Sequence, residues 1–417
     1  MVRRLDLQAP PALRATSSAD AGEEREGNTM LKMLGAWVGR VTAREEKQSA
    51  AGRVIALNLT GRPAWTSRNY GELTREGFGK NAVVYRCVRM VSEACASVPL
   101  SVEFEGRKAP DHPLQRLIDR PNGEQGGESL REAVYGGLMT SGNGYVETAV
   151  MDEAPFELWN LRPDRMRVVP GPKGWPEGYE YSAGGGKVVI GRDGRGWMKV
   201  LHLKLWHPYD DWYGFSPLEA AAFAIDVHNA SGAWNKALLD NAARPSGALV
   251  YGTKGSERLT EDQFSRLRQQ LDEGHAGGRN AGRPLLLEGG LEWKPMSWTP
   301  ADMDFIAGRY AAARDIALAF GVPGQLLGIP GDNSYANYKE ANAAFWRNTV
   351  LPLTQKATRS LSEWLGEVFP GTRIVCDLEG LPALAAERDA LWARLEGASF
   401  LTDGERRRLA GLPEVAA

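Results

Sequence analysis

At 417 residues the chain exceeds what one core organises, and a scale of roughly 100–200 residues per domain predicts two to four units. Its 43% hydrophobic and 24% charged residues are ordinary for a globular protein, and no run of about 18 apolar residues is present to span a bilayer, which argues against a membrane role. Lys plus Arg (50) against Asp plus Glu (52) leaves a net charge of -2, without the cationic excess that grips the phosphates of a duplex, so any meeting with DNA is loose.

Residues 5–28 are rich in Pro, Ala, Ser and Glu and read as a disordered tail, because they hold too little apolar surface to offset the entropy of ordering. Met30, followed by Leu31-Lys32-Met33-Leu34, offers a second start. Val83, Cys87, Met90, Ala94 and Val98 make a helical stripe over 81–98 that Pro99 closes, and a strand over 100–104 follows. Ser129 with Glu132 forms a capping box that opens a helix ending near Gly142, and residues 145–150 alternate as a strand. Further strands are expected at 166–169, 187–190 and 197–206, giving an α+β body with a mostly antiparallel sheet.

At Ser216-Pro217-Leu218-Glu219 the chain changes character, since Ser caps, Pro fits the first turn and Glu closes the box of a long helix to about Asn241. Strands at 247–251 and 283–298 surround a short helix capped by Thr260 and Gln263. The next helix, 299–320, carries Ile306, Tyr310, Ala313, Ala317 and Phe320 on one stripe and stops at Gly321-Val322-Pro323. Residues 321–337 combine Gly and Pro breakers with no apolar period and form a loop. A long helix over 338–368 contains Pro352, which predicts a kink there. A strand at 372–377, an amphipathic helix at 384–395 and a last helix capped by Thr402 and Glu405 end the chain.

The sequence offers little chemistry. His202 and His207, at i, i+5 in a strand-like segment, face opposite ways, and with His112, His228 and His275 they define no metal site. Gly184-Gly185-Gly186-Lys187 and Gly277-Gly278-Arg279 lack phosphate-loop spacing, and no serine elbow is present. Asp302 and Asp304 fit a helix start better than an acid/base pair. Cys87, Cys95 and Cys376, an odd number without CxxC spacing, point to a reducing compartment, and the first two read as small buried hydrophobes. No catalytic residue, metal or cofactor is expected. The 13 Trp residues suggest large contact surfaces.

The ordered set of segments resembles the portal family of tailed phages, in its compact siphophage type, which includes portals of prophages and gene transfer agents. The resemblance covers nearly the whole chain from about Asn81. It is carried by Asn81-Ala-Val-Val-Tyr-Arg-Cys-Val-Arg89, Tyr213-Gly-Phe-Ser-Pro-Leu-Glu-Ala-Ala221, Ala243-Arg-Pro-Ser-Gly-Ala-Leu249, Asn280-Ala-Gly-Arg-Pro284 with Glu288-Gly-Gly290, and the run from Phe320-Gly-Val-Pro323 through Asn337. Each piece is weak alone. Together they imply a portal subunit with a tail (1–29), an α+β wing (30–215), stem helices (216–243 and 299–320) flanking a clip (244–298), a tunnel loop (321–337), a long kinked helix with a wing strand (338–383) and a short crown (384–417).

The same resemblance implies a non-enzymatic, head-to-tail ring, a dodecamer in the particle, at one capsid vertex, through which double-stranded DNA is packaged and ejected. Its expected partners are other copies of itself, the major capsid protein, the terminase packaging motor, a head-tail adaptor and the passing DNA. Assembly is expected in the bacterial cytoplasm and residence in a virion or virus-like particle. Gln325, Asn333, Ser334, Tyr335, Asn337, Tyr338 and Lys339 are expected to face the channel, and Arg266, Arg268, Arg279 and Arg283 to dock the motor or connector. Leu326, Leu327 and Ile329 supply an apolar half of the loop that suits packing against a neighbour. Another capsid, neck or tail component, or a nucleic-acid-processing enzyme, is the alternative reading.

Overall fold

The computed structural model describes residues 65–410 apart from 152–153, 173, 241–246, 252–259, 264, 267–268, 270–290, 296–304 and 331–334. Helix α1, Tyr70–Glu76, is capped by the Asn69 side chain. Helix α2, Ala82–Ala96, starts where Asn81 Oδ1 accepts from the amides of Val83 and Val84 at 3.0 and 3.2 Å. Val84, Cys87, Val88, Val91 and Cys95 then fall on one face, and that face is buried. The expected strand after Pro99 is β1, Leu100–Phe104. It pairs antiparallel with the short β2, Arg107–Lys108, and on its other side with β11, Thr372–Cys376.

Helix α3, Pro113–Asp119, and helix α4, Gly127–Ser141, follow. The expected capping box at Ser129 is not used, because the N-cap is Gly126. The turn that leads in is folded around Asn122, whose Oδ1 accepts from the amides of Glu124 and Gln125 and whose Nδ2 donates to the Leu158 carbonyl. A tertiary bond thus overrides the local signal. Strands β3, Asn143–Met151, and β4, Ala154–Leu161, form a hairpin, and β8, Val200–Lys204, pairs on the other side of β3. Strands β5, Met166–Pro170, β6, Pro176–Ala183, and β7, Gly186–Gly191, make a second antiparallel sheet. The sequence reading missed β4 and β6, where Pro155 in one and Pro176 and Gly178 in the other dilute the strand signal. The observed fold is α+β, with small antiparallel sheets under helices.

The main core gathers α2, α4 and residues as far apart in sequence as Leu73 and Leu381. A clasp of two tryptophans closes it. Trp197 and Trp364 stack at 5.2 Å, Trp197 Nε1 donates to the Trp364 carbonyl at 2.9 Å, and Trp364 Nε1 donates to the Met198 carbonyl at 2.6 Å. A smaller core around Tyr145, Leu161, Met166, Tyr179 and Ile190 sits between the two sheets.

Ser216 caps as expected, its Oγ accepting from Glu219 N at 3.0 Å with Pro217 in the first turn. A short α5, Pro217–Ala220, runs into α6, Ala222–Asp240, which packs along α7, Phe305–Ala319. Between them β9, Gly247–Tyr251, and β10, Leu291–Pro295, pair with each other as an antiparallel ribbon; the rest of the expected strand 283–298 lies outside the described residues.

The long helix expected from 338 to 368 is three pieces. Helix α8, Tyr335–Phe345, passes through a π turn, Trp346–Val350, into α9, Leu351–Gly366. Pro352 sits in the first turn of α9, where its missing N–H is tolerated, and the wide turn just before it absorbs the break in the hydrogen-bond ladder. Helix α10, Ala385–Glu396, and α11, Asp403–Leu409, end the described chain, α11 with the full Thr402/Glu405 capping box.

Candidate channel and docking surfaces

The loop after α7 begins with a built corner. Gly321 has φ +66°, its carbonyl accepts from Thr349 Oγ1 at 2.6 Å, and Val322 N returns to the Ala317 carbonyl at 2.9 Å. Only glycine takes that backbone angle without penalty, which is why the helix stops there. A 3₁₀ turn, Gly324–Leu327, follows and Arg314 Nη2 donates to the Pro330 carbonyl at 2.5 Å. Val322 and Ile329 are buried, and Leu326 and Leu327 pack half-buried against the same core. The apolar half therefore anchors the loop on its own chain.

The polar residues divide. Gln325 is exposed on the 3₁₀ turn, and Asn337, Tyr338 and Lys339 are exposed on the first turns of α8. Tyr335 is the first residue of α8, so the helix begins three residues before the expected 338 and Asn337 is helical. Asn333 and Ser334 lie outside the described residues. Arg266 is exposed, on the short helix that Thr260 and Gln263 open by reciprocal bonds of 3.0 and 3.3 Å. Arg268, Arg279 and Arg283 lie outside the described residues.

A polar node that the sequence did not reveal joins the start of α2 to α6 and α7. Asn81, with its oxygen committed to capping α2, turns its Nδ2 to His228 Nδ1 at 3.0 Å and Asn229 Oδ1 at 2.9 Å on α6, and Asn229 Nδ2 donates to the Glu76 carbonyl at 2.9 Å. Arg309 of α7 approaches His228 Nε2 at 3.3 Å. Burial, and then the Arg309 charge, hold the imidazole below its ordinary pKa. A neutral ring has one acceptor nitrogen, so it can take a hydrogen bond from Asn81 or from Arg309 and only touches the other.

His202 is locked by the same logic. Its Nε2 meets Asn143 Oδ1 at 2.9 Å, its ring stacks on Tyr145 at 4.3 Å, and burial pushes its pKa down to about 3. Cys87 and Cys95 are buried as expected, and burial pushes both thiols up to about 12, far from the thiolate needed for reactivity.

Outside these nodes α7 and its surroundings present uncovered apolar groups. The α7 stripe splits: Ala313, Ala317 and Phe320 are buried, while Ile306 is 67% exposed and Tyr310 also faces solvent. Its first half thus projects beyond the core. Leu318 and the stacked pair Trp65 and Phe223, 5.0 Å apart, are exposed as well. No helix among the described residues is long and apolar enough to cross a membrane.

The model of the phage portal protein family matches residues 82–411. This chain belongs to the phage portal protein family. Family members are structural components that form the ring at one capsid vertex, through which double-stranded DNA is packaged and ejected. This portal protein is 27% identical over 352 residues to the portal protein of Enterobacteria phage HK97, covering 80% of this chain and 79% of that one. Among solved structures, a chain from the neck of an empty gene transfer agent particle, computed with C6 symmetry, is 50% identical with a TM-score of 0.68, covering 88% of this portal protein and all of that chain. A chain from the neck of the native particle, computed with C12 symmetry, is also 50% identical, with a TM-score of 0.65 and coverage of 85% and 96%.

Proposed function

We propose that this chain is one of twelve identical subunits in the portal ring of a particle of the gene transfer agent type, assembled in the bacterial cytoplasm. The carrying observation is the 50% identity, over most of both chains, to a neck chain computed with C12 symmetry. The uncovered Ile306, Tyr310 and Leu318 on a helix that projects from its own core support it, since a closed ring covers such faces with a neighbour.

In this reading residues 30–215 form the wing, α6 and α7 the stem, the β9–β10 ribbon with the Thr260 helix the clip, and residues 384–417 the crown. A two-stranded ribbon is marginal alone. Neighbouring clips complete it, and Arg266, Arg268, Arg279 and Arg283 meet the packaging motor or the head-tail adaptor. The loop over 321–337 and the start of α8 line the channel with Gln325, Asn333, Ser334, Tyr335, Asn337, Tyr338 and Lys339. Neutral hydrogen-bonding groups release DNA as readily as they hold it, whereas a ring of cations would add a cumulative grip. The capsid protein holds the wing. Electron microscopy of the purified full chain is expected to show rings with a central hole and twelvefold symmetry, and a protein that stays monomeric at every concentration would overturn the reading.

A further inference from the structure

Between β8 and Ser216 the chain makes a closed excursion, residues 205–214, whose two ends touch. Leu205 N donates to the Gly142 carbonyl at 2.9 Å, and Gly214 N donates to Asn143 Oδ1 at 2.8 Å. A Cβ on Gly142 or on Gly214 would overlap the other's backbone, so the neck closes only because both are glycine. Inside the excursion the backbone is bound to its own side chains. His207 Nδ1 accepts from the amides of Tyr209 and Asp210 at 3.0 and 2.9 Å, and Asp210 Oδ1 accepts from those of Trp212 and Tyr213 at 2.7 and 3.0 Å. Tyr213 Oη accepts from Val168 N at 3.0 Å, and Lys204 Nζ donates to the Asp211 carbonyl.

This is a rigid Ω-loop, yet its two outermost aromatic side chains are left in water: Trp206 is 79% exposed and Tyr209 is 93% exposed. Aromatic rings held on a pre-ordered backbone are what binding hot spots are made of, since little entropy remains to be lost when they are covered. At 150–250 Å² each, the two could hide roughly 350 Å², nearly half of the about 800 Å² that one partner contributes to a standard interface. We propose that the Ω-loop is a ring-closing anchor, with Trp206 and Tyr209 docking into the adjacent copy of this chain.

The inference rests on the portal reading and names the surface through which it operates. Three observations choose another copy over other partners. The homologous neck chain occurs in a C12 arrangement, where every subunit has a neighbour of its own kind. The loop runs directly into Ser216 and the stem helix α6, so a neighbour that covers the stem is within reach of it. The formal charge of -2 leaves little repulsion between identical copies.

The test uses the full chain with Trp206→Ala and Tyr209→Ala together, which remove exposed groups and should leave circular dichroism and the thermal midpoint, both taken at concentrations too low for ring formation, as in the wild type. Native mass spectrometry is expected to show the concentration for half-assembly into rings rising at least about tenfold. In parallel, a photo-crosslinking benzoylphenylalanine in place of Tyr209 is expected to give an adduct of twice the chain mass within rings. Rings from both proteins at the same concentration, or crosslinks to the capsid protein alone, would overturn the loop's role while leaving the portal reading intact. Wild-type protein that forms no rings would instead remove the portal reading, and this inference with it.

Discussion

Gly321→Ala probes the corner where α7 gives way to the loop that follows it. Two effects add. An alanine at φ +66° costs about 1–2 kcal/mol as a left-handed L-residue. Its Cβ would lie 2.6 Å from Thr349 Oγ1, which must move and so surrenders the 2.6 Å bond to the Gly321 carbonyl, worth about 1 kcal/mol. Gly328 is the internal control, with φ +69° and nothing within 4 Å of a Cβ, so Gly328→Ala carries only the first effect. Urea unfolding followed by circular dichroism, at concentrations too low for ring formation, should therefore place Gly321→Ala about 1 kcal/mol below Gly328→Ala. In a Thr349→Ala background the extra loss should vanish, giving a coupling of about 1 kcal/mol in the double-mutant cycle. Equal losses for the two glycines, or no coupling, would refute the claim that Thr349 holds the corner.

Between pH 6.5 and about 3 the unfolded chain protonates His202 and the folded one does not, so stability falls on acidification; from pH 7 to 5 the loss should be about 2 kcal/mol, and His202→Gln should flatten that slope in urea titrations. Trp197→Phe keeps most of the stacking but loses the bond to the Trp364 carbonyl, for about 1–2 kcal/mol, whereas Trp197→Ala empties a core site for about 3–5 kcal/mol by the same assay. Replacing Asn333, Ser334 and Asn337 with Ala should leave rings intact and change the DNA content of particles; normal content would remove those residues from the mechanism. Arg279→Glu with Arg283→Glu should weaken capture of the packaging motor by purified rings without affecting their formation, and unchanged packaging would count against that contact.

The sequence by itself determined the features whose physics is local. The Ser216 cap with Pro217, the Thr260/Gln263 box, the Thr402/Glu405 box and the stop at Gly321 each join groups a few residues apart, and each is where the residues put it. The same locality made α2 legible as a helix, although the deeply buried face runs through Val84, Val88 and Val91 and leaves the expected Val83, Met90 and Ala94 half-buried. Tertiary structure decided the rest. It overrode Ser129 through the Asn122 turn, turned the Pro352 kink into a π turn, and seated Leu326, Leu327 and Ile329 on their own core. It also paired Leu100 with Cys376, Asn81 with His228 and Trp197 with Trp364, and pinched residues 205–214 into the Ω-loop. Short strands and buried polar nodes are stable only with partners more than a hundred residues away or across a closed neck, and no window of local sequence contains both halves of such a bond.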